Sequence, residues 1–219
     1  MPTTRFERFL PGAGILSGVL FAITALTSGS PPGTGADAAK QVAWYNAHQG
    51  RVLLSVFAGA LFLVTMGFFA TAIRQALRSG ETGESTYSSV AYGGALLVGA
   101  AVAIWSWVSF AIVEAADKNQ AAVVHTLSFV NDGGWLPWTA ASAVMMLGTG
   151  LGGLRTAALP KWLAVVTIIL GVMNIAGPAG IAVYLITPLW LIVTGVVLLR
   201  RLSSGSAVPA SREYASSVA

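Results

Sequence analysis

The most constraining stretch of the chain is Leu159 to Arg201, LPKWLAVVTIILGVMNIAGPAGIAVYLITPLWLIVTGVVLLRR, with no charged side chain between Lys161 and Arg200. As a single helix rising about 1.5 Å per residue, this run would be nearly twice as long as the roughly 30 Å hydrocarbon core of a bilayer is thick. It has to fold back on itself. Gly177-Pro178-Ala179-Gly180 is the natural break, because glycine leaves a helix readily and proline is tolerated in the first turn of the next one. The expected unit is a transmembrane hairpin with spans over 160–177 and 179–199. It sets the fold class as all-α, a polytopic membrane protein.

The remainder of the chain agrees with that class. Hydrophobic residues make up 55% and charged residues 9%, where a soluble domain carries roughly 25% charged. Further spans are expected at 10–28, 52–73, 90–113 and 134–154, giving six in one domain over 1–201, followed by a serine-rich cytoplasmic tail at 202–219. Arg5 and Arg8 ahead of the first apolar run also suit a signal peptide, but the run exceeds the roughly 7–15 residues of such a segment and reads better as a span. Gly14 and Gly18 form a GxxxG face suited to close helix contact. Gly93-Gly94 and the glycines from Gly148 to Gly153 read as packing surfaces rather than phosphate loops, since no strand-turn-helix context surrounds them.

Two short helices are expected on the outer side. Asp37 to Gln49 follows the capping-box spacing Thr34-Gly-Ala-Asp37. In Ala121 to Val130, Val123, Val124, Leu127 and Val130 recur at helical spacing, as in a helix lying at an interface.

Six spans place both termini on one side. With that side cytoplasmic, the inside holds Arg5, Arg8, Arg74, Arg78, Arg155, Lys161, Arg200, Arg201 and Arg212, and the outside only Lys40, Arg51 and Lys118. This is the asymmetry of the positive-inside rule, so a bacterial cytoplasmic membrane with both termini cytoplasmic is the expected location. Trp44, Trp105, Trp107, Trp135 and Trp138 then fall near the outer interface, where an amphipathic ring gains from one wet edge.

The chain has no cysteine, which excludes thiol catalysis, disulfides and cysteine-ligated metals. The spans carry no ionisable group at mid-depth, which argues against a proton relay or charge-coupled pump. Within them the polar candidates are Ser55, Thr65, Asn174, Tyr184 and Thr187, and Pro188 frees the Tyr184 carbonyl from its helical bond. The outer loops are richer. His48, Glu114, Asp117, His125 and Asp132 lie in or beside them, and the first four are of the types that bind a divalent metal, although no fixed ligand spacing such as HExxH joins them. Neither histidine falls in a span, which disfavours haem. Glu114 closes a tryptophan-rich helix end, and its competing reading is an exposed carboxylate that marks the end of the span. Trp44, His48, Trp105, Glu114, Trp135, Asn174 and Tyr184 are the ligand-binding candidates. No catalytic residue and no cofactor can be named.

At Leu159-Pro160-Lys161-Trp162-Leu163, with Gly171, Pro178, Pro188 and the run Gly195 to Arg201, the chain resembles a family of uncharacterised bacterial membrane proteins common in actinobacteria. The segment AKQVAWYNAHQGRVLLSVFAG is similar to that family's first outer segment. The resemblance implies six spans and brings no established activity with it.

The leading expectation is a non-enzymatic accessory protein that packs against a membrane partner or a second copy, or holds an apolar or lipid-like ligand under its outer cap. Its surroundings are membrane lipids, and nothing points to nucleic acid. The alternatives are a membrane-embedded enzyme or metal-binding protein using His48, Glu114, Asp117 and His125, and a neutral-solute transporter with a polar path through Asn174, Tyr184 and Thr187.

Overall fold

A computed structural model describes residues 5–84, 86–176 and 179–203. The described residues form seven helices and no strand: α1 (Arg5–Thr27), α2 (Ala38–Arg78), α3 (Thr86–Asp117), α4 (Ala121–Asp132), α5 (Trp135–Thr156), α6 (Lys161–Ile175) and α7 (Ala179–Ser203). The expected breakpoint at Gly177-Pro178 and the tail from 204 onward lie outside the described residues. Four helices are long and apolar enough to cross a membrane: α1 from Phe9, α2, α3, and α7 as far as Arg201. The other two expected spans differ for separate reasons. With 15 residues, α6 is short, whereas α5 has 22 residues diluted by glycine, serine and threonine.

Six of the helices pack in the circuit α7, α1, α2, α3, α5, α6, with a looser seam from α6 back to α7. Each neighbour runs antiparallel to the last. Down the first interface, Ser17 Oγ donates to Thr65 Oγ1 at 2.9 Å, while Ser55 Oγ donates to the Thr24 carbonyl at 3.0 Å. On the closing seam, Trp190 Nε1 donates to Thr167 Oγ1 at 2.8 Å. One end of the bundle therefore gathers the α1, α3 and α6 C-termini with the α2, α5 and α7 N-termini, and α4 lies across α2 and α3 there. That end is the cap.

The opposite end is basic. Arg74 lies over the Tyr92 ring and Arg155 over the Tyr87 ring, at 5.3 and 5.2 Å from the centroids, positions that suit cation–π attraction. Arg201 donates to the carbonyl of Ala157. Ala157 itself ends α5 in the left-handed region, at φ 54°.

Small residues set the interhelical distances. A Cβ on Gly94 would strike the Met145 backbone, and one on Gly148 would lie 2.7 Å from the Ala91 nitrogen, so α3 and α5 touch backbone to backbone. Gly14 and Gly18 both make close contacts as expected, yet with different partners, Phe69 of α2 and Pro188-Ile192 of α7. By contrast Gly93 faces open space.

Two expected boundaries change. The outer helix does not stop near Gly50. It continues into the second span as one 41-residue α2, kinked where His48 leaves helical geometry at φ −118°, ψ 15°. At about 1.5 Å per residue α2 is roughly 60 Å long, so its first turns rise beyond a bilayer's hydrocarbon and wall the cap. Its N-cap is Asp37, whose carboxylate accepts from the Ala39 amide at 3.1 Å, so the expected box centred on Thr34 is not the cap. In α4, Val124 is fully buried and Leu127 partly so, but Val123, Phe129 and Val130 face outward.

The hydrophobic interior has two parts. A long core runs along the bundle axis through Phe21, Phe62, Phe69, Met145, Met146 and Leu191. A smaller one, with Val42, Tyr45, Val56, Ile112 and Val124, holds the start of α2, the end of α3 and α4 together.

Candidate functional site, a hollow beneath the cap

Between these two cores lies a cavity of about 580 Å³. It exists because the helices part above the axial core while α4 and the first turns of α2 close over them. Tyr45 and Val52 line it from the cap core, and Val102, Trp138 and Tyr184 line it from the axial core. Its size falls in the range of about 300–1,000 Å³ usual for small-molecule sites.

Aromatic rings dominate one wall. The Tyr184 ring centroid stands 5.1 Å from that of Trp138 and 6.1 Å from that of Trp105, with the planes inclined at 76° and 55°. Phe21 braces this group from below, 5.0 Å from Tyr184 and 5.9 Å from Trp138. Trp138 is 1% exposed, and its indole N–H has no hydrogen-bond partner. A buried donor without a partner carries a desolvation penalty that a ligand acceptor or a water would relieve.

Polar groups punctuate the rest. Thr24 and Ser55 face each other across α1 and α2: Ser55 Oγ donates to the Thr24 carbonyl at 3.0 Å and Thr24 Oγ1 approaches the Ser55 carbonyl at 3.4 Å. Ser109 Oγ donates to the Trp105 carbonyl at 3.1 Å and reaches Asn131 Oδ1 at 3.3 Å, tying α3 to the end of α4. Among the described residues, Asp132 is the one carboxylate in the lining.

The floor is shut. Phe21, Phe62, Met66 and Phe69, all 0–1% exposed, fill the axis below. Thr187, part of the expected polar path, is buried with its hydroxyl donating to the Val183 carbonyl.

Three of the seven expected ligand-binding residues, Trp105, Trp135 and Tyr184, line the cavity. The other four do not. Trp44 stacks on His48 at 4.5 Å and lies against Gly29 at the cavity edge, while His48 Nδ1 bonds the Trp44 carbonyl at 2.8 Å. Asn174 donates to the Leu170 carbonyl at 3.2 Å and to Met146 Sδ at 3.5 Å, as a buried tie between helices with its Oδ1 unpartnered. Glu114 pairs with Lys118 at 3.3 Å, both about half exposed or more, which is the plain helix-end role.

The expected metal set does not converge. His48 is turned back onto its own helix, His125 Nδ1 meets Gln41 Oε1 at 3.3 Å, and Glu114 is engaged by Lys118. Among the described residues no three of His, Asp and Glu come together as a group able to hold a metal ion. His48 is engaged within α2 and His125 is engaged from α4 across to Gln41 of α2, so each ring has its own partner.

Comparison with protein-family models, with curated proteins and with solved structures gives no match. The site is therefore argued from its own geometry. Sequence reasoning missed Trp138 as a site residue, placing it at the interface. The available signal was its spacing of three from Trp135, which puts both rings on one side of α5. Tyr45 was missed, and Asp132 was read only as an outer-loop carboxylate, because both enter the cavity through the continuity of α2 and the placement of α4.

Proposed function

We propose that this chain is a six-span protein of a bacterial cytoplasmic membrane that holds an apolar or lipid-like ligand in the hollow beneath an outer cap. The likeness to actinobacterial six-span proteins belongs to the same proposal. The cavity, apolar, aromatic and closed below, carries the binding part of the reading. Its shut floor favours a binding site over a solute path.

Support for six spans comes from the outward faces of the two helices that fall short on length or mean hydropathy. On α6, Trp162, Val165, Val166, Ile169, Val172 and Ile175 are all exposed. On α5, Leu136, Val144, Leu151 and Leu154 face out while Ser142, Thr149 and the glycines face in. Such inside-out polarity suits lipid surroundings, since small polar residues mediate helix contact where water is absent. A water-facing helix has the opposite pattern.

Two experiments test the reading. The cysteine-free chain permits single reporters, Gly33→Cys on the cap and Thr82→Cys in the loop between α2 and α3. An impermeant maleimide should label the first in intact cells and the second only after permeabilisation, and the reverse pattern would overturn the orientation. For binding, protein purified in mild detergent should retain lipid-like molecules on native mass spectrometry. A Ser109→Trp variant that fills the cavity should release them while keeping its helicity. Equal retention by the two proteins would sink the cavity assignment.

A further inference from the structure

The lining of the cavity has an electrostatic preference. Five of its hydroxyl protons are committed to backbone carbonyls: Thr24 to Leu20 at 3.0 Å, Ser28 to Ala25 at 3.1 Å, Ser55 to Thr24 at 3.0 Å, Ser109 to Trp105 at 3.1 Å and Thr139 to Leu136 at 2.9 Å. A hydroxyl whose proton is engaged keeps its lone pairs, so these oxygens can offer a ligand only acceptors. Trp105, Trp138 and Tyr184 bring three aromatic rings to the lining, and the face of such a ring carries the negative part of an aromatic quadrupole. Asp132 adds a full negative charge, and it forms no hydrogen bond or ion pair among the described residues. Among the described residues, no lysine, arginine or histidine lines the space. Arg51, which comes near its edge at Gly29, donates to the Leu26 carbonyl at 2.9 Å.

Each of these features attracts positive charge and disfavours an anion. Around them lie apolar walls such as Val52, Val102 and Ile181. We infer that the cavity takes an amphiphilic organic cation, its alkylammonium head among Trp105, Trp138, Tyr184 and Asp132 and its chain against the apolar wall. Inclined rings that share a space with a carboxylate form the arrangement that holds ammonium groups through cation–π attraction. The orphaned Trp138 N–H remains as a donor for an acceptor atom farther along the ligand.

This inference rests on the cavity being a binding site, and the test separates the two ideas. Intrinsic tryptophan fluorescence of the full chain in dodecyl maltoside would follow titrations with decyltrimethylammonium, decyl sulfonate and decyl maltoside, three probes with one chain and different heads. The cation is expected to bind at least about tenfold more tightly than the sulfonate. Asp132→Asn, at an exposed position where folding is not at stake, should reduce that ratio to about threefold or less. Tetramethylammonium, a free head without a chain, should compete at least about a hundredfold more weakly, and equal competition would overturn the amphiphile and leave a small cation. Equal binding of all three decyl probes would overturn the charge preference and leave the lipid-like pocket standing. No response to any probe would remove both.

Discussion

The two halves of this bundle are built from the same residue types and use them differently. Toward the basic end, glycines bring helices into backbone contact, as Gly94 does at Met145 and Gly148 at Ala91, and the void beside Thr149 and Thr194 measures about 10 Å³. Toward the cap, tryptophans and tyrosines hold the helices apart around about 580 Å³ of space. In a membrane, where lipid is as apolar as the interior, packing rather than water exclusion drives helix association. The tight half therefore supplies the adhesion, and the open half can stay hollow without collapsing.

The sharpest way to break this contrast is to add one carbon in each half. Gly94→Ala drives a methyl into the Met145 backbone, which cannot yield without separating α3 from α5. It should cost about 1–3 kcal/mol or more, read as a lower unfolding temperature in detergent. Gly93→Ala, next to it and facing open space, should be close to neutral. In the cap, Val52→Leu adds the same single carbon at a buried position beside the cavity. Its cost should stay below about 1.5 kcal/mol, the range of tolerated apolar swaps. Equal destabilisation by Gly94→Ala and Val52→Leu would mean that the halves do not differ as described.

A second change strengthens the tight half. Ala157 closes α5 at φ 54°, a region that penalises a Cβ. Ala157→Gly should remove that penalty, and a gain of about 0.5–1 kcal/mol is expected after the extra chain entropy of glycine is subtracted. The Arg201 bond to the residue 157 carbonyl is a backbone bond and survives the change. A loss of stability would show that the left-handed turn is not what limits this corner.

How far these features were legible in the chain depends on what each required. The hairpin, the class and most helix limits follow from charge-free runs bounded by arginine and lysine, which are local signals. The α5 and α6 helices were found as apolar runs, although mean hydropathy undersells α5, because its Ser142, Thr149 and glycines turn inward. What one sequence withheld was the third dimension at the cap. His48, Glu114 and His125 looked like a set because they fall at the same end of the bundle, yet each has a separate partner, Trp44, Lys118 or Gln41. Conversely Tyr45, Asp132 and Trp138 carry no motif, and they meet only because α2 continues past Gly50 and α4 folds back.

A smaller effect is expected where the tight half has its void. Thr149 and Thr194 both line it, 0–1% exposed, and neither hydroxyl has a partner. Replacing both by valine keeps the shape and removes two orphaned polar groups, which is neutral to stabilising when no bond is lost. A gain of up to about 1 kcal/mol is expected. A marked loss would reveal a water bridging the two hydroxyls.

The smallest effect concerns the loop that joins α2 to α3 at the basic end. Glu81 accepts from the Ser88 amide at 2.9 Å and from Ser88 Oγ at 2.6 Å, so its carboxylate caps the first turn of α3. Slight burial pushes its pKa up, but the Ser88 bonds, the Tyr87 amide and nearby Arg78 outweigh this and hold it below the ordinary value. A carboxylate so lowered in the folded state stabilises fully above its unfolded value, about 4.3 for glutamate. That contribution fades as pH falls through the lower folded value. Glu81→Gln should therefore reduce the unfolding temperature slightly at pH 7 and leave it nearly unchanged near pH 3. The position is open to solvent, so screening keeps the difference small. A larger effect of the variant at pH 3 than at pH 7 would reverse the sign and show that the loop is held by something other than this carboxylate. The cap is the internal control, because Asp132 in the cavity lining caps no helix N-terminus among the described residues and Asp132→Asn should leave this pH dependence intact.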